Sequence, residues 1–266
     1  MKEIAWVTDI HLDYLDPSGV DRFYAEISGT EPDLLLVGGD TGEADSVFGF
    51  LQQIAEILDK PVYFVLGNHD YYHSSIMAVR NQARLVARCV RNLTWLDESG
   101  VIELTRSTAL VGHGAWGDAR LGNCYGTTVM LNDFDKIEDL RGLDRKTRLA
   151  QLNRLGDEAA EYLHRVLNTA FNQFSDVIVL THVPPFEEVC LYQGTIGDPD
   201  WLPFFTCGAV GAVLKKLMER NREKRIRVFC GHSHHAATEQ ILPNLTVRVG
   251  AADYGLPTIQ TLFRVE

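Results

Sequence analysis

Seven residues of the chain carry donor atoms suited to metal ions, and each stands just beyond a short apolar run. Asp9 and His11 follow the run Glu3 to Thr8. Asp40 follows Asp33 to Val37 across Gly38-Gly39. Asn68 comes after Val62 to Leu66 and Gly67, and His182 closes Asp176 to Thr181. His232 and His234 lie past Arg227 to Cys230. Two carboxylates, one amide oxygen and four imidazoles form a mixed oxygen and nitrogen set. Such a set suits Mn, Fe, Zn, Ni or Co and suits Ca or Cu(I) poorly. It holds more donors than a four-coordinate ion takes, and it matches two ions that share one carboxylate. No thiolate joins it, which argues against a structural zinc site.

For these residues to meet, the elements before them must end at one place. The runs at 3–8, 33–37 and 62–66 are short, apolar and closed by Asp, Gly or Asn, which predicts buried strands. Between the second and third, Val47, Phe50, Leu51, Ile54, Ile57 and Leu58 recur at intervals of three and four. That spacing predicts an amphipathic helix over Ser46 to Asp59. Strand, helix, strand in this order implies parallel strands. Further helices are predicted over Ser74 to Arg91, over Thr147 to Phe174 with a break at Gly156, and over Ala209 to Asn221. Further strands are predicted over 101–104, 108–112, 176–181, 227–230, 246–249 and 258–263. Alternation along the whole chain predicts an α/β fold in one domain, residues 1–266. In open sheets of this type ligands gather beyond the carboxyl ends of the strands, so five strand ends can converge. The glycines beside Asp40, Asn68 and His232 allow the tight turns this needs.

Composition narrows the partners. The chain has 266 residues, 45% hydrophobic and 23% charged, as expected of a globular protein. Against 36 acidic residues stand 25 basic ones, a net charge of −11. That surface repels phosphate backbones, so nucleic acid is expected only as a substrate at a metal site. No run of apolar residues is long enough for a membrane span, and Met1 to Val7 is too short and polar for a secretory signal. Five cysteines, an odd number with no Cys-x-x-Cys pair, argue against a disulfide framework and fit a cytoplasmic location.

Taken in order, Asp9-x-His11, Gly39-Asp40-x-x-Glu43, Gly67-Asn68-His69-Asp70, His182 and Gly231-His232-x-His234 form a series. It resembles the calcineurin-like metallophosphoesterases, with motifs spread over residues 9–234. The resemblance implies a four-layer αββα sandwich with a dinuclear centre at one edge. By motif position it implies Asp9, His11 and His234 on one ion, Asn68, His182 and His232 on the other, Asp40 between them, and Glu43 in support. The ions implied are divalent and of the transition series, Mn first, with Fe, Zn, Ni or Co as alternatives. The reaction implied is phosphoester hydrolysis by a hydroxide held between them. His69 would protonate the leaving oxygen or stabilise the transition state, and Asp70 would orient and charge it. A small phosphoester or nucleotide is the expected substrate, with a lean to diesters because no extra phosphate-binding Arg motif occurs. A phosphomonoesterase, a protein phosphatase and a non-catalytic scaffold of the same fold are the alternatives.

Two other segments attract a functional reading. The stretch His113-Gly114-Ala115-Trp116-Gly117-Asp118-Ala119-Arg120 could form a substrate wall, with His113 in it and Arg120 on a phosphate oxygen. Residues Pro184 to Phe205 are rich in aromatic side chains, Gly and Pro, as in a lid, a specificity loop or an interface.

Overall fold

Alternate residues of the central strands enter different cores, and this alternation creates the layers. In β1 (Lys2–Val7), Ala5 and Val7 join one core while Ile4 and Trp6 join another. In β2 (Leu34–Val37) the same division separates Leu35 and Val37 from Leu34 and Leu36. Successive side chains of a strand point to opposite faces, so a strand apolar on both faces must be covered twice. The computed structural model describes residues 1–266.

The first sheet contains β1, β2, β3 (Val62–Phe64), β4 (Leu93–Trp95) and β13 (Thr261–Val265), in the order β13-β1-β2-β3-β4. All are parallel except β13, which runs antiparallel to β1. The second sheet contains β5 (Ile102–Glu103), β6 (Thr108–His113), β7 (Asp176–Thr181), β10 (Arg225–Cys230), β11 (Ala237–Leu242) and β12 (Leu245–Val249). Its order is β11-β12-β10-β7-β6-β5, with a parallel centre and antiparallel edges. A separate hairpin pairs β8 (Leu191–Tyr192) with β9 (Thr195–Ile196).

Helices α1 (Pro17–Gly29), α2 (Val47–Leu58) and α3 (Ile76–Cys89) cover the outer face of the first sheet through a core of 34 buried residues. Helices α6 (Arg145–Phe171) and α8 (Gly208–Arg220) cover the second sheet through 28. Between the sheets lies a seam of 12 buried residues, where Trp6 meets Phe229 edge-on at 5.0 Å and Phe229 stacks on Phe263 at 4.8 Å. The layers are therefore αββα. Three short helices, α4 (Leu96–Ser99), α5 (Asp133–Lys136) and α7 (Leu202–Phe205), lie in the connections.

Most expected elements form, with shifted ends. The break expected at Gly156 does not occur: α6 runs through it, and a side chain there would strike Asp118. Its glycine serves close packing. Helix α1 was not anticipated, although Asp16 caps it by accepting from Gly19 N at 2.7 Å and Pro17 opens it. No helix is long and apolar enough to cross a membrane. All five cysteines are free.

Candidate metal centre

The loops that leave the strands carry an unusual backbone. Asp9 (φ 51), His11 (φ 39), Asp40 (φ 51), His232 (φ 68) and His234 (φ 58) all occupy the left-handed region. Side chains other than glycine rarely sit there, at a cost of order 1–3 kcal/mol each. Hydrogen bonds between loops hold them in place. Asp9 N donates to Gly39 O at 3.0 Å, His11 N to Asp40 O at 3.0 Å, and Leu12 N to Thr41 O at 2.9 Å. Two glycines permit the close approach. A side chain at Gly67 would strike the Asp40 carboxylate, and one at Gly231 would strike that of Asp9.

The donors fall into two groups that share one member. Ligand atoms of Asp9, His11, Asp40 and His234 lie within 4.8 Å of one another, as do those of Asp40, His182 and His232. Asp40 turns Oδ2 toward His11 Nε2 (3.8 Å) and Oδ1 toward His182 Nε2 (3.5 Å). Asn68 joins the second group, its Oδ1 lying 3.1 Å from His182 Nε2.

The hydrogen-bond roles show what this set accommodates. His182 Nδ1 faces the Gly38 carbonyl at 2.9 Å and must donate, so in the neutral ring Nε2 is a lone pair. Asn68 Nδ2 donates to Asp133 Oδ1 at 2.9 Å, which turns its carbonyl oxygen toward that lone pair. His232 Nε2 donates to Phe204 O at 3.1 Å and leaves Nδ1 free. His11 Nε2 and His234 Nε2 meet at 3.3 Å. The Asn68 oxygen and the His182 lone pair, two acceptors face to face in a buried place, repel, and a cation between them removes the repulsion. The residues therefore fit two metal ions, with Asp40 shared.

Electrostatics agree. Burial, then the charges of Asp9 and Asp70, push the Asp40 carboxyl well above its ordinary range. Burial also acts upward on Asp9, but the hydrogen bond from His234 and, at the acid pH where the rings take up protons, the charges of His182, His234 and His11 outweigh it and hold Asp9 low. Burial lowers His11 to about 4 and His232 to about 3, and lowers His182 as well. These imidazoles are neutral near pH 7, the form that ligates.

His69 enters the same space without joining either group. Its backbone N donates to Asp40 Oδ1 at 2.9 Å, and its ring stacks on Tyr72 at 4.3 Å and meets His11 edge-on at 4.7 Å. Burial and the neighbouring imidazoles lower it to about 2. Asp70 does not orient or charge it, contrary to the sequence expectation. The buried Asp70 carboxylate accepts instead from the backbone N–H groups of Asp40 (3.0 Å), Thr41 (2.9 Å), Gly42 (3.2 Å) and Gly67 (2.8 Å). It thereby ties the loop after β2 to the loop after β3. Burial pushes its carboxyl up to about 7 against those four donors. Glu43 pairs with Lys136 at 3.1 Å and lies 3.4 Å from His73.

A cavity of about 650 Å³ opens over the cluster, with Asp40, Asn68, His69, His232 and His234 in its lining. Neither His113 nor Arg120 lines it, which corrects the substrate-wall expectation. His113 is buried beside Asp97 at 3.5 Å and accepts from Ala115 N at 3.0 Å. Arg120 is held by Asp118 at 2.8 Å and Asp157 at 2.7 Å. The segment Pro184 to Phe205 does form a wall, through Cys190, Leu191, Tyr192, Gly197, Asp198, Trp201 and Phe205. Sequence reasoning missed Tyr72, Asp133 and Tyr254. Tyr72 could have been suspected from its place beside the Asn68 motif, whereas Asp133 and Tyr254 carry no local signal.

Residues 2–236 match the calcineurin-like phosphoesterase family, and the chain belongs to it. Among solved structures it is similar to the phosphopantetheinyl hydrolase of Mycobacterium tuberculosis, at 13% identity and a TM-score of 0.67, covering 95% of this chain and 89% of that one. It is also similar to a dimetal phosphatase from Danio rerio, at 10% identity and a TM-score of 0.61, covering 96% and 89%. A 5'-nucleotidase from Candida albicans shares 14% identity at a TM-score of 0.50, covering 94% of this chain and 45% of that one. At these identities the likeness shows the fold. No curated protein matches by sequence.

Proposed function

We propose that this chain is a metal-dependent hydrolase of small phosphoesters, with phosphodiesters or nucleotides as its preferred class, and that residues 1–266 act as one domain. The observation that carries this reading is the sharing of Asp40 between two donor groups on the floor of the cavity. Asp9, His11 and His234 would hold one divalent ion and Asn68, His182 and His232 the other, with Mn first in order and Fe, Zn, Ni or Co as alternatives. Bound there, the ions supply Lewis-acid polarisation of the phosphoryl oxygens and a water nucleophile at neutral pH.

The chain's own residues do the rest. His69, neutral and fixed by its stack on Tyr72, donates a ring N–H to the oxygen that leaves, stabilising charge there without surrendering the proton. Asn68 is oriented by Asp133, and Asp40 by the backbone of His69. None of the nineteen residues lining the cavity is Lys or Arg. A diester, with one negative charge, needs less compensation than a monoester dianion, which supports the lean to diesters.

The test is turnover of a matched aryl diester and aryl monoester by protein carrying two Mn ions. The diester is expected to be the better substrate. His69→Ala should keep both ions by elemental analysis and lower kcat about 10²–10³-fold. Fully loaded protein that turns over no phosphoester refutes the reading.

A further inference from the structure

We infer that the substrate carries a single phosphorus and a flat apolar group, and that this chain selects against any second phosphate. The inference rests on the hydrolase reading for what sits on the cavity floor. It rests on the walls for everything else.

An aromatic path leads outward from the floor. The ring of Phe205 lies 4.6 Å from that of His232, tilted by 32°. Trp201 meets Phe205 edge-on at 5.8 Å. Trp201 is 47% exposed and Tyr192 60% exposed, yet both face the cavity. Large aromatic side chains kept wet at a cavity wall gain most when a flat partner covers them. The space, about 650 Å³, lies in the range that holds a drug-sized ligand, so a ring system fits beside the phosphoryl group.

Charge excludes the alternatives. The lining includes the carboxylates of Asp133 and Asp198 and no side-chain cation of Lys or Arg. Lys136 is bound to Glu43 at 3.1 Å and sits over the Tyr72 ring, so it is already engaged. A phosphate beyond the floor would meet carboxylates and aromatic rings with no Lys or Arg to pair with. Aryl and nucleoside esters with one phosphorus meet both conditions. Nucleoside polyphosphates and nucleic acid strands do not.

Two measurements on the Mn-loaded protein test this. The first compares thymidine 5'-(p-nitrophenyl phosphate) with its 3'-phosphorylated counterpart, which releases the same nitrophenolate. The unsubstituted ester is expected to have a kcat/KM at least about tenfold higher. The second is calorimetric binding of phenylphosphonate against methylphosphonate, which needs no turnover. The phenyl compound is expected to bind about tenfold tighter, and Trp201→Ala with Phe205→Leu should erase most of that preference. Equal kcat/KM for the two thymidine esters, or equal affinity for the two phosphonates, overturns the inference. Absence of all turnover with the phenyl preference intact refutes the hydrolase reading and leaves the aromatic wall standing.

Discussion

Asp133 is the residue whose removal should say most about the second ion position. It lies at the start of α5, 7% exposed, and a single oxygen accepts from Asn68 Nδ2 at 2.9 Å and from the Tyr72 hydroxyl at 2.7 Å. Asp133→Ala leaves both donors buried without an acceptor, at about 1–3 kcal/mol each. Burial already strains the carboxyl, raising its pKa, so its removal returns part of that cost. A net loss of about 1–4 kcal/mol of stability follows. The larger effect is on orientation. Without Asp133 the Asn68 Nδ2 loses the carboxylate that orients the amide, and a flipped amide can donate to the His182 Nε2 lone pair 3.1 Å away. That flip places N–H groups where an ion needs oxygen. One of the two Mn-binding steps should weaken about 10–100-fold, while the other changes little. Asp133→Asn keeps a carbonyl acceptor for both donors and should stay close to the wild type. Two-site calorimetric titration reads the metal steps, and urea denaturation reads the stability. An Asp133→Ala isotherm superimposable on that of the wild type, with stability altered by less than about 0.5 kcal/mol, would refute the reasoning.

Four further outcomes follow from other positions. Gly67→Ala drives a methyl group into Asp40 and should abolish retention of both ions through gel filtration, whereas Gly49→Ala, with open space in α2, should stabilise by about 0.4–1 kcal/mol in a urea melt. Burial pushes the Asp97 carboxyl up to about 7, so the folded chain holds that proton after the unfolded chain has lost it. This contribution favours folding at acid pH and fades as pH rises from about 4 to about 7, so Asp97→Asn should lose less stability than the wild type between about pH 5 and about pH 8. Equal losses in the two proteins would count against it. Arg120→Ala should leave KM unchanged and lower stability by about 1–3 kcal/mol, because it abandons the buried Asp118 carboxylate, and a raised KM would restore Arg120 to the substrate wall.

The candidate ligands were legible because each ends an apolar run, and a parallel sheet gathers strand ends. The reading failed where adjacency in sequence stood in for adjacency in space. Asp70 follows His69, yet both lie in a tight turn (His69–Tyr71) whose consecutive side chains diverge, and the carboxylate turns to backbone amides. Arg120 and His113 look like pocket residues because their loop is rich in polar and aromatic side chains. Their partners, Asp118, Asp157 and Asp97, are set by packing against α6, α8 and α4, which local composition does not encode. Strand β11 escaped notice because Thr238, Glu239 and Gln240 are exposed at a sheet edge, where no apolar alternation is needed. Asp133 and Tyr254 reach the cavity from connections between elements, so their roles appear only once the chain is folded.

The division of the donors between the two sheets has a mechanical consequence. Asp9, His11, Asp40 and Asn68 leave strands of one sheet, while His182, His232 and His234 leave strands of the other. Neither half owns a complete coordination shell, so each ion would act as a rivet across the join. Sliding one layer past the other would pull both shells apart together. The edge-on packing of Trp6 against Phe229 in the seam between the sheets thus fixes the register in which the two halves of the donor set meet.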